Sequence, residues 1–320
     1  MLSEGMLASL HPLRKLLFAI GLMFFSMFVF TMISFFIVKY YYSINLFTDS
    51  TLLNDFNNPV VINSLKLMQA LAGGLGLFIV PVLLAAYLFD NNFFTFLQLR
   101  KAPAMISFLM VIVILFVSMP FVNWMVDINS HLKLPAAFSS IEQWMKSSEE
   151  EAAQLTVAFL KGTSVLSLAI NLFIIAFLPA LGEELFFRGM MQKLFSQLTK
   201  NNHLAIIITS IIFSAIHLQF YGFLPRMVLG IFLGYLLVWS GSLWLPILAH
   251  FVNNASAIIF IFLDNQQKLG FNPDSVGTSE DEKIMLLSSI AITVFLVYLI
   301  FKTEKAKKKL NPQTDFSRNI

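Results

Sequence analysis

LFIIAFLPALGEELFFR, residues 172–188, is the stretch whose reading decides the fold. Ten apolar residues, Leu172–Leu181, run without a polar interruption, and then Gly182, Glu183, Glu184 and, one turn on, Arg188 follow. A long apolar run reads as a membrane-spanning helix, and charges placed against it are costly unless they are paired or line a wet cavity. Such residues are functional-site candidates by default. The pattern recurs twice. His217 lies in the run 206–218, and His250 with Asn254 lies in the run 243–263.

Working outward, the rest of the chain has the same character. Hydrophobic residues make up 58% of the 320 and charged residues 12%, about half the share of a soluble domain. Eight apolar runs are candidate spans, at about 20 residues per crossing: 16–38, 67–89, 104–126, 164–182, 204–220, 226–240, 243–263 and 284–301. The expected fold is therefore all-α, a polytopic transmembrane bundle of about eight spans around an interior polar cavity. We divide it into N-terminal spans with an interfacial loop (1–163), a catalytic core (164–263), and a loop, last span and basic tail (264–320). The first run is too long for a signal-peptide core and lacks a cleavage site, so it reads as a retained span.

Basic residues favour the cytoplasmic side. With both termini placed inside, thirteen Lys and Arg fall inside and eight outside, whereas twelve Asp and Glu fall outside and six inside. Cytoplasmic N- and C-termini are thus expected. The net charge is only +3 and its surplus sits in Lys302, Lys305, Lys307, Lys308 and Lys309, after the last apolar run. That placement reads as a membrane anchor and excludes a nucleic-acid patch. The absence of cysteine excludes disulfides and thiolate metal sites. Segment 129–162 mixes Phe138, Ile141, Trp144, Met145 and Leu155 with Glu142, Lys146 and Glu149–Glu151, the pattern of an interfacial amphipathic helix or a polar loop with a helical piece. Small residues four apart, Ala72 with Gly76 and Gly230 with Gly234, allow close helix packing. Pro81, Pro120, Pro179 and Pro246 should each kink a span or unwind a turn.

Taken singly, each polar motif has a plain structural reading. Glu184 and Arg188 are at i, i+4, in ion-pairing reach on one helix face. Glu183 points about 100° away, so one carboxylate is left over. Phe213 and His217, and His250 and Asn254, repeat the one-turn spacing, and buried imidazoles and amides often only join helices. Taken together they suit hydrolysis of an amide bond. A carboxylate takes a proton from water and an imidazole orients that water. A second imidazole and an amide hold the oxyanion. Glu183, His217 and His250 are equally the ligand types of a His₂Glu zinc site, so residue types leave a zinc and a metal-free mechanism both open. The same buried groups would serve a proton- or ion-coupled transporter, although no internal repeat of the kind many transporters carry is present.

The combination Glu183-Glu184-x-x-x-Arg188, Phe213-x-x-x-His217 and His250-x-x-x-Asn254 resembles the three-motif signature of the CPBP (CAAX protease and bacteriocin-processing, or Abi) intramembrane proteases, which include the type II CAAX prenyl endopeptidases. The resemblance covers about 164–263. It implies a CAAX-type endopeptidase, a metalloprotease or a glutamate protease, acting on a membrane-associated protein or peptide. In it Glu183 is the general base, His217 assists, and His250 and Asn254 stabilise the oxyanion. Glu184, Arg188 and Phe213 are supporting residues, and Glu183, His217 and His250 are the zinc ligands if zinc is used. It also admits a non-catalytic bacteriocin-immunity protein. The position of Glu183 at the end of the run 164–182 places it near the cytoplasmic end of its span.

Overall fold

The computed structural model describes residues 5–48, 55–131 and 135–310. Among them there is helix and no strand, as expected of a chain whose backbone polar groups must be satisfied within lipid. The long helices are α1 (Pro12–Tyr42), α2 (Pro59–Phe89), α3 (Met105–Val117), α4 (Met119–Ser130), α5 (Ser139–Leu160), α6 (Val165–Thr199), α7 (Asn202–Ala215), α8 (Phe223–Ser240), α9 (Trp244–Asn265) and α10 (Lys283–Leu310). α1, α2, α6, α8, α9 and α10 are each long and apolar enough to cross a membrane, and α3 and α4, bent by 48°, form a seventh crossing if counted as one.

Six or seven helices thus meet the length and hydropathy of a span, against about eight expected from the apolar runs. The difference is α7, an apolar helix shorter than these. Its 14 residues reach only about 21 Å at 1.5 Å per residue, against a hydrocarbon core of about 30 Å. The span expected at 164–182 is also longer than its apolar run suggests, because α6 continues to Thr199. Glu183 and Glu184 consequently sit in the middle of a 35-residue helix, not at the end of a span. The basic residues Lys302–Lys309 likewise belong to the last turns of α10 and do not form a separate tail; residues 311–320 lie outside the described residues.

Local sequence explains the element ends. Asn201 closes the short α6–α7 connection by accepting from the His203 and Leu204 N–H groups, after Lys200 turns the chain in the left-handed region. Gly241, at φ 65°, ends α8 in the same way. The prolines act as expected at three positions. Pro120 follows the α3–α4 bend. Pro81 and Pro179 each follow a π-helical segment, Gln69–Ile79 and Leu172–Phe177. There the residue before the proline donates five residues back, Val80 N to Leu75 O and Leu178 N to Phe173 O. Widening the turn re-satisfies backbone groups that the ring would orphan. Pro246 does not kink its helix, because it lies in the first turn of α9, where a backbone donor is not needed.

α1 and α10 are peripheral, with 22% and 11% of their most apolar windows buried, whereas α2 and α9 reach 39%. Phe24, Phe25, Phe28 and Phe36 on α1, and Val294 and Phe295 on α10, are exposed apolar side chains of the kind lipid covers. One core joins α1, α2, α6 and α7 around Phe78, Phe186, Phe187 and Phe213. Another joins α3, α8, α9 and α10 around Val111, Leu233, Leu245 and Ile300. The small residues sit where helices approach. A Cβ on Gly182 would lie 2.8 Å from Phe78 Cβ, and one on Gly234 2.9 Å from Ile206 Cγ2. α2 thereby closes on α6 beside Glu183, and α8 closes on α7. α5 is the amphipathic helix. Glu142 and Lys146 pair at 3.0 Å, Ile141, Trp144 and Val157 are exposed, and Met145 and Phe159 are buried.

Candidate active site

α6 supplies the centre of the site. Its second π-helical segment, Leu185–Met191, surrounds Arg188, and such segments recur at functional positions. Glu184 and Arg188 are both fully buried, and Arg188 Nη1 donates to Glu184 Oε1 at 2.7 Å. Arg188 Nη2 donates to Gly230 O at 3.2 Å, a contact open only because Gly230 has no side chain: a Cβ there would stand 3.3 Å from Nη2. The guanidinium lies 4.4 Å from the centroid of the Phe213 ring, so the cation is held by a carboxylate, a carbonyl and a π face. The i, i+4 pair expected from the sequence is thus present.

His250, buried on α9, joins this pair. Its Nδ1 donates to Glu184 Oε1 at 2.9 Å. Because the carboxylate only accepts, Nδ1 carries the hydrogen and Nε2 remains for other partners. His217 follows the last turn of α7, and its Nδ1 donates to Phe213 O at 2.7 Å. The carbonyl fixes that tautomer too. His217 Nε2 then stands 3.9 Å from Glu183 Oε2. Glu183 Oε2 is buried and has no hydrogen-bond partner. Phe213 packs edge-on against both imidazoles, with centroids 5.1 Å from His217 and 5.9 Å from His250. Phe213 therefore fixes the spacing of two histidines and an arginine from three other helical positions.

His217 lies just beyond the end of α7, where the chain leaves the helix for the Leu218–Gly222 connection. Leu218 turns the chain at φ 53°. Arg226 Nη2 then donates to Gln219 Oε1 at 2.6 Å, and Tyr221 N donates to Glu149 Oε2 of α5 at 3.2 Å. Arg226 interacts electrostatically with both Glu183 and Glu149. Sequence reasoning missed Arg226, Gln219 and Glu149. Arg226 was within reach of the same rule that flagged Glu183, being an ionisable residue at the edge of an apolar run; the other two carry no sequence signal.

Asn254 is brought to the same helix as His250 but has no hydrogen bond to the Glu184 cluster. Its Oδ1 accepts from Asn253 Nδ2 at 3.2 Å, which leaves its own Nδ2 as the presented donor. Among the described residues no group of three His, Cys, Asp or Glu side chains lies close enough to hold a metal ion. Glu183, His217 and His250 make no such group as placed, with His250 Nδ1 engaged by Glu184 and its Nε2 open.

Residues 165–256 match the model of a protein family described as type II CAAX prenyl endopeptidase Rce1-like. No curated protein and no solved structure matches the chain. The matched segment runs from the start of α6 into α9 and contains Glu183, Glu184, Arg188, Phe213, His217, Arg226, His250 and Asn254. Over residues 165–256, under a third of its length, this helical membrane protein is thus similar to the type II CAAX prenyl endopeptidases.

Proposed function

We propose that the protein is an intramembrane endopeptidase that hydrolyses a peptide bond of a membrane-associated protein or peptide with Glu183 as general base. The supporting observation is the 3.9 Å gap between Glu183 Oε2 and His217 Nε2, two acceptors with no partner between them. A water about 2.8 Å from each subtends about 90° between them, close to the angle between its own hydrogens. Both hydrogens are then engaged and a lone pair is left for the scissile carbonyl carbon. Attack transfers one proton to Glu183 and places negative charge on the carbonyl oxygen. When the C–N bond breaks, the same proton passes to the departing amine. His250 Nε2 and Asn254 Nδ2 are the donors we assign to the oxyanion, with His250 carrying its second proton while Glu184 holds Nδ1. Glu184 and Arg188 position His250.

The start of α1, the Lys302–Lys309 end of α10 and the α6–α7 turn lie at one end of the bundle, whereas α5 and the Leu218–Gly222 connection lie at the other. With the termini cytoplasmic, as we propose from the charge count, substrate approaches Glu183 from the opposite face.

The test is cleavage of a fluorogenic lipidated peptide by purified protein in liposomes. Glu183→Gln should lower turnover by about 10²–10⁴-fold with the fold retained, and near-wild-type turnover in that variant sinks the mechanism. A zinc mechanism has one observation in its favour: both histidines donate Nδ1 to an acceptor and present Nε2, as metal-binding histidines do. Metal analysis with activity before and after chelator separates the two. Full activity in metal-free protein is the outcome we expect. Stoichiometric metal whose removal stops turnover overturns it.

A further inference from the structure

A cavity of about 380 Å³ lies at the opposite end of the bundle from His217. It is enclosed by the end of α2, the segment before α3, the last turns of α6, and the ends of α8 and α10. Arg100, Lys101, Arg188, Lys193 and Lys308 line it against one carboxylate, Asp90. Its walls are pinned from several sides. Lys193 Nζ donates to Phe96 O at 3.0 Å, Lys308 Nζ to Val238 O at 2.9 Å, and Ser242 Oγ to Lys101 O. Glu304, itself buried, accepts from Ala104 N at 2.9 Å and so ties α10 to the start of α3.

Arg100, Lys101, Lys193 and Lys308 each keep part of their surface open, whereas Arg188 lies behind the wall at 0% exposure. A phosphate ester matches such a lining, since its phosphoryl oxygens accept from ammonium and guanidinium donors. Basic pockets between helices at the cytoplasmic side are suited to anionic headgroups, and the volume lies within the range of about 300–1,000 Å³ usual for ligand sites.

We infer that this cavity is a binding site for a phosphate ester, with the headgroup of an anionic phospholipid as its occupant. The site is independent of the proteolytic reading, since neither Glu183 nor His217 lines it.

The test uses full-length protein, delipidated in detergent and titrated with phosphatidylglycerol, phosphatidylcholine or inorganic phosphate, with binding read by native mass spectrometry and melting temperature. Phosphatidylglycerol should bind at least tenfold more tightly than phosphatidylcholine. Arg100→Glu/Lys308→Glu should lower that affinity at least tenfold. Lys302→Glu/Lys309→Glu changes net charge equally on α10 outside the cavity lining and should stay within threefold of wild type. If the cavity variant does not fold, Lys308→Ala replaces it, with a smaller loss of at least threefold. Displacement of the lipid by millimolar phosphate assigns the site to free phosphate; resistance to it assigns the site to the lipid. Equal binding of the two lipids, or equal losses in the cavity and control variants, overturns the inference.

Discussion

Replacing Arg188 by Met removes the cation from a fully buried pair while roughly keeping the side chain's volume. Two routes give the cost. Opposite charges about 4 Å apart attract by about 4 kcal/mol at an effective dielectric constant of about 20. Removing one member of a buried pair typically costs about 3–5 kcal/mol, because the other charge is left uncompensated. The 2.7 Å Nη1–Oε1 contact and the zero exposure of both side chains place this pair in that class. The hydrogen bond to Gly230 O and the stacking on Phe213 are lost with it. We expect Arg188→Met to lower unfolding free energy by about 3–5 kcal/mol, measured by denaturing-detergent titration followed by circular dichroism. Glu184→Gln alone should cost a similar amount. The double variant Glu184→Gln/Arg188→Met restores neutrality and should recover about 2–3 kcal/mol relative to the sum of the singles. It should remain inactive, since His250 then lacks its carboxylate. If the double variant costs the full sum, the two charges are not coupled and the site's organisation has been misread. A loss below about 1 kcal/mol for Arg188→Met refutes the burial argument in the same way.

Glu183→Gln should leave the melting temperature unchanged or raise it, because Glu183 Oε2 is a buried carboxylate oxygen without a partner, while turnover falls by about 10²–10⁴-fold; a large loss of stability would mean that the carboxylate is structural. Asn254→Ala should lower kcat by about 10²–10³-fold with little change in KM. Asn253→Ala should have a smaller effect of the same kind, since Asn253 only orients its neighbour; equal effects would remove the distinction. Gly234→Leu drives a side chain into Ile206 and the Gln192 amide and should cost about 1–3 kcal/mol, read by the same unfolding titration, whereas exposed Gly21, with nothing near its Cβ position, should tolerate Leu.

Much of the fold was legible. Apolar run length gave α1, α2, α9 and α10 nearly as they stand, because a span must satisfy its own backbone and face lipid over most of its surface. Two lengths misled. The run 164–182 has the length of a whole span, but α6 continues to Thr199 because Glu184 and Arg188 are buried among helices and Glu183 largely so. The run 204–220 is a short span by sequence, and α7 ends at Ala215. The cost of stopping there is met by packing on α8, which no hydropathy window records. In the site, the Glu184–Arg188 pair was legible because i, i+4 spacing is local. The contact between His250 and Glu184 was not, since it joins residues 66 positions apart.

The sequence by itself determined that this is a helical membrane protein, that Glu184 is committed to Arg188, and that Glu183 is spare. Those conclusions rest on composition, run length and helical periodicity, all of which act over one or two turns. The tertiary structure decided which imidazole serves which carboxylate: His250 goes to Glu184 and His217 faces Glu183. It also gathered Arg100, Lys101, Lys193 and Lys308 from four separate segments around one cavity. Interhelical geometry depends on where small residues let helices close, at Gly182, Gly230 and Gly234, and on a helix too short to span. Such distances are set by packing between segments, and no local rule contains them.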